Sequence, residues 1–66
     1  MTPEQVRARV RDIEAMAGDG EVAHSEEDGL HCDVLEAIAK GETADPAGCA
    51  AAALETFKIK FSRWCA

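Results

Sequence analysis

Apolar positions along the chain fall into three runs with helical spacing, separated by short polar and glycine-containing breaks. In the first run, Val6, Val10, Ile13 and Ala17 recur at intervals of 4, 3 and 4, with Met16 on the flank. That spacing makes a narrow apolar seam along one face of a helix. Thr2-Pro3-Glu4-Gln5 supplies its start: Thr2 as N-cap, Pro3 where a missing N–H does no harm, and Gln5 reaching back to complete a capping box. Arg7 and Arg11 share a flank with Glu4 and Glu14 at spacings that permit weak surface pairs. The helix is predicted over residues 3–17, ended by Gly18, with Gly18-Asp19-Gly20 as a loop.

A second helix is predicted over residues 26–40. Ser25 is the expected N-cap, Asp28 the expected second member of a capping box, and Gly41 the stop. Glu26, Glu27 and Asp28 would fill the first turn, where the helix dipole favours negative charge by roughly 0.3–1 kcal/mol each. On a helical wheel, Leu30, Val34, Ala37, Ile38 and Leu35 cover one arc of about 160°. His31 falls inside that arc, between Ile38 and Leu35, and Cys32 falls outside it.

The third helix is predicted over residues 46–57, with Asp45 as N-cap and Pro46 as its first residue. Ala47, Ala50, Ala51, Leu54 and Phe57 share one face, which predicts a small-residue surface for close helix packing, with Cys49 opposite. The alternation of Phe57, Ile59 and Phe61 with Lys58 and Lys60 suggests an extended segment, and Ser62 is a candidate cap for a last turn bearing Trp64. Short connections imply antiparallel neighbours. The expected fold is all-α: one small helical domain over residues 1–66, with three helices and a C-terminal tail packed across them.

Size and charge narrow the functional classes. A chain of 66 residues buries only roughly 60% of its unfolded surface, so stability calls for help from a partner, a metal or disulfides. Three cysteines, Cys32, Cys49 and Cys65, are an odd number without close spacing, which favours reduced thiols over a secreted disulfide framework. No apolar run approaches the roughly 20 residues of a membrane span, and the N-terminus has no signal-peptide core, so a cytoplasmic protein without a membrane partner is expected. Residues 12–55 carry twelve acids and a single base, Lys40, between basic ends that hold Arg7, Arg9 and Arg11 and then Lys58, Lys60 and Arg63. An acidic bulk repels phosphate, so nucleic acid is not an expected partner. The same charge keeps a small protein soluble and can meet a basic partner.

The stretch Ala23-His24-Ser25-Glu26-Glu27-Asp28-Gly29-Leu30-His31-Cys32 gathers the residue types that bind metals. His24, Asp28, His31 and Cys32 would supply N, O and S donors for zinc. A helix beginning at Ser25 accounts for the acids without a metal, and it takes His24 off the helical face. A histidine on an apolar arc is more often a satisfied, half-buried residue than a ligand. No phosphate loop, paired Cys-x-x-Cys, His-Glu-x-x-His or nucleophile elbow occurs, so neither an enzyme nor a cofactor is expected.

Residues 6–41 and 45–66, with "AHSEED" and the terminal "RWCA", resemble small helical proteins of Streptomyces-like actinobacteria and their phages. The resemblance implies a helical accessory protein, such as a modulator of a host protein, and supplies no catalytic residue. The expected function is a non-catalytic protein-binding module, with homodimerisation the expected assembly. Candidate contact residues are Phe61, Arg63 and Trp64 at the C-terminus, since Trp and Arg dominate binding hot spots, and Glu26 and Glu27 on the acidic face. Zinc binding through His24, Asp28, His31 and Cys32 is the alternative.

Overall fold

The structure, a computed structural model, describes residues 1–63. Three helices pack against one another: α1 (Pro3–Ala15), α2 (Gly20–Ala39) and α3 (Pro46–Leu54). A single 3-10 turn, Glu55–Lys58, continues α3, and no strand is present among the described residues. The all-α, three-helix architecture expected from the periodicity is the one observed.

Local chemistry explains most helix ends. At α1, the Gln5 N–H donates to Thr2 Oγ1 at 3.2 Å and the Thr2 N–H donates to Gln5 Oε1 at 3.0 Å, closing the capping box. At α3, the Gly48 N–H donates to Asp45 Oδ1 at 2.9 Å ahead of Pro46. At the end of α2, Gly41 takes φ of +70°, a left-handed conformation that glycine adopts freely. There the Glu42 N–H reaches back to the Ala37 carbonyl at 2.8 Å and the Gly41 N–H to the Ile38 carbonyl at 3.2 Å. These two bonds form a Schellman stop.

The start of α2 differs from the sequence expectation. Its N-cap is Asp19, whose carboxylate accepts the Val22 N–H at 3.3 Å, and the helix begins at Gly20 rather than after Ser25. The glycines at 18 and 20 read as a turn, yet burial decides the matter. Ala23 is fully buried in the core, and it reaches that position only if the helix has already begun. Gly20 at the first helical position also lets the tail pass close by: a Cβ there would lie 3.3 Å from the Ser62 carbonyl oxygen. Helix α1 ends at Ala15, two residues short of the expected limit, with Met16 as its C-cap.

The core is formed by Val6, Val10 and Ile13 of α1, Ala23, Leu30 and Val34 of α2, Cys49, Ala52 and Ala53 of α3, and Ile59. The α1 seam is as the spacing predicts. The face of α3 is not: Cys49, Ala52, Ala53 and Thr56 point inward, whereas Ala47, Ala51, Leu54 and Phe57 are exposed. Almost every position of this helix is apolar, so periodicity does not choose a face. The face that is buried is the one carrying Cys49, Ala52, Ala53 and Thr56, which leaves the larger Leu54 and Phe57 on the outside. After the 3-10 turn, Ile59 adopts extended dihedrals and is buried, and Phe61 packs against the core. The extended tail thus starts at Ile59, two residues later than the alternation suggested.

Candidate functional site

Helices α2 and α3 leave an open apolar groove of about 320 Å³ between them, lined by His31, Val34, Leu35, Ile38, Ala50, Ala53, Leu54 and Phe57. Three of the large side chains around it are more than half exposed: Leu35 at 67%, Leu54 at 59% and Phe57 at 58%. The single apolar arc of α2 is therefore divided. Leu30, Val34 and Ala37 face the core, Ile38 is half-buried, and Leu35 stands at the groove.

His31 is the polar member of this lining. Its Nε2 lies 3.2 Å from the Ala53 carbonyl oxygen and 3.0 Å from Thr56 Oγ1. Its ring stacks at a tilt on Phe57, with centroids 5.3 Å apart. The half-buried, satisfied histidine expected from the sequence is what the fold contains. Behind His31 lies a buried charge pair. Glu27, only 2% exposed, accepts from Arg63 Nε at 2.8 Å and from Arg63 Nη2 at 3.1 Å. Nη2 also donates to the carbonyls of Thr56 at 2.8 Å and Ile59 at 3.1 Å. The guanidinium lies 3.8 Å over the Phe61 ring, a cation–π contact.

Burial by itself raises the Glu27 pKa, but hydrogen bonds from Arg63 and Thr56 and the positive charge of Arg63 outweigh it and hold the carboxyl below its ordinary value. Arg63 is thus a clamp that fixes the tail to α2 and to the 3-10 turn. Of the contact residues expected from the sequence, Glu27, Phe61 and Arg63 are used within the fold, while Glu26 is exposed on α2. Trp64 and Cys65, with the expected last turn, lie outside the described residues.

The metal-ligand candidates are only partly brought together. Because α2 starts early, His24 and Asp28 share a helical face, with His24 Nε2 3.5 Å from Asp28 Oδ1. His24 Nδ1 is buried without a hydrogen-bond partner among the described residues. His31, however, turns to α3, and Cys32 is exposed. Among the described residues no three His, Cys, Asp or Glu side chains form a group able to hold a metal.

A smaller cleft of about 240 Å³ lies between α1 and the 3-10 turn, where Arg7, Arg11 and Lys58 alternate with Glu14 and Glu55 above Val10 and Ile59. Its mixed charges select no single ligand class. Comparison with family models, curated proteins and solved structures finds no match to this chain. Among the described residues no helix is long and apolar enough to cross a membrane.

Proposed function

We propose that this chain is a non-catalytic protein-binding module, and that its contact surface is the groove between α2 and α3. The observation that carries this reading is the convergence of Leu35, Leu54 and Phe57, each more than half exposed, on one concavity. Burying such side chains stabilises a complex by roughly 1–2 kcal/mol each. Grouped apolar exposure of this kind marks interaction sites.

The occupant we assign is an apolar segment of another protein flanked by Lys or Arg. Within Gly20–Ala39 there are six acids and no Lys or Arg. Glu27 is neutralised by Arg63, and Asp33 is paired with Arg9 at 2.7 Å. Glu21, Glu26 and Asp28 remain without a Lys or Arg partner among the described residues. All three are exposed on α2 in the turns that precede His31, beside the groove rather than in its lining. A cationic partner is favoured there, while a second copy with net charge −6 is repelled.

The test compares the wild type with Leu35→Glu and Leu54→Glu, with Arg7→Glu as a surface control away from the groove. Cross-linking in extracts of the native host, with the linked segment sequenced, should give a base-flanked apolar contact that both groove variants lose and the control retains. Light scattering reads the competing occupant. A species at twice 7.0 kDa that both groove variants reduce to 7.0 kDa would replace the external partner with a second copy. Loss of the cross-link in the control alone would overturn the groove assignment.

A further inference from the structure

We infer that His31 presents a bare Nδ1 hydrogen-bond acceptor within the apolar groove, and that the groove takes the indole of a tryptophan from the partner protein, with its N–H donated to Nδ1. This rests on the groove being a protein-binding surface, and it names the chemistry that anchors the partner there.

Proton accounting leads to the tautomer. The Ala53 carbonyl can only accept, so the Nε2 that lies 3.2 Å from it must carry a hydrogen. Thr56 Oγ1, 3.0 Å from the same nitrogen, could in isolation be donor or acceptor. With the hydrogen placed on Nε2 by the carbonyl, the hydroxyl oxygen is the acceptor of this second contact. The Nε2–H is therefore shared between the hydroxyl and the carbonyl. Neutral imidazole has one N–H, so a proton fixed on Nε2 leaves Nδ1 as an acceptor. No described residue bonds Nδ1, and it is not among the enclosed atoms lacking a partner.

The shape and chemistry of the groove select among donors. Its lining is apolar apart from His31, with Leu35, Leu54 and Phe57 free to cover a flat ring. A space of about 320 Å³ is at the small end of ligand pockets. An indole combines a large apolar body with a single N–H donor and no acceptor, matching an apolar wall that has one acceptor. A hydroxyl or amide would bring further polar atoms that this lining leaves unpaired.

The test uses indole and benzofuran as probes, since they share a shape and differ in the N–H. Long-range proton–nitrogen NMR of the 15N-labelled chain, well above the imidazole titration range, should show His31 with a protonated Nε2 and a bare Nδ1. Titration followed at the Leu35, Leu54 and Ala53 methyl groups should show indole binding more tightly than benzofuran by roughly two- to tenfold. His31→Phe should remove that preference and retain binding. A His31 protonated on Nδ1, equal affinity for the two probes, or no binding of either would overturn the indole assignment. With equal affinity, or with neither probe bound, the groove itself still stands or falls on the cross-linking experiment. Binding that appears only in Trp64→Ala would assign the groove to the chain's own tryptophan and overturn the external source.

Discussion

Arg63→Ala tests the clamp between tail and α2 most directly. The side chain lost makes two hydrogen bonds to Glu27, at 2.8 and 3.1 Å, and two to the carbonyls of Thr56 and Ile59, at 2.8 and 3.1 Å. What remains is a carboxylate 2% exposed with no counter-charge in contact. Removing one partner of a fully buried pair costs about 3–5 kcal/mol. The Arg63 side chain keeps 28% of its surface in water, so screening and water access bring the expected cost to about 2–3 kcal/mol. A domain of this size has roughly 3–10 kcal/mol of stability in all, so the midpoint of thermal unfolding should fall by on the order of 10 °C.

Glu27→Gln, which keeps the shape and one acceptor, should cost about 1–2 kcal/mol. The double variant should lose less than the sum, with a coupling of about 1–2 kcal/mol. Urea unfolding of the four proteins, followed by far-ultraviolet circular dichroism, measures this directly, and a coupling below about 0.5 kcal/mol refutes the clamp. The pH dependence supplies a second readout. The Glu27 carboxyl titrates below its ordinary 4.5 in the folded chain, so its contribution is present above that value and is lost as pH falls through the folded pKa. The stability difference between wild type and Glu27→Gln should be constant from neutral pH to about 5 and shrink below the ordinary 4.5. A difference unchanged down to about pH 3 contradicts the assignment.

The same urea assay separates the two sides of the α2 arc. Leu30→Ala, at a fully buried site, should cost about 2–5 kcal/mol, and Leu35→Ala, at a site 67% exposed, should stay within about 0.5 kcal/mol; equal costs would mean that Leu35 also belongs to the core. Asp19→Ala should lose about 1 kcal/mol as a cap is removed, while Ser25→Ala, inside the helix, should be nearly neutral. The reverse order would return the start of α2 to Ser25.

Legibility in the sequence follows how local each determinant is. The capping box of Thr2 and Gln5, the Asp45-Pro46 start and the Gly41 stop are decided within a few residues, and each is where the sequence reading put it. The α1 seam is equally readable because its apolar residues contrast with the charges between them. The start of α2 is not, since Asp19 and Ser25 are both competent caps. What separates them is whether Ala23 gains a core to enter. The inward face of α3 is hidden for a related reason: when nearly all positions are apolar, the pattern contains no contrast. Glu27 reads as a solvated first-turn acid, and its partner Arg63 lies 36 positions away, beyond any local rule.

The residues by themselves therefore determined three helices, their short connections, the surplus of acids in the middle of the chain and a histidine on an apolar arc. Tertiary structure decided which part of that arc is core and which part lines a groove. It also decided which cap begins α2, and that one of the acids is internal and held by the tail. The division has a physical basis: capping and periodicity act over one or two turns of backbone. Burial and charge pairing depend on surfaces that meet only after the helices have packed.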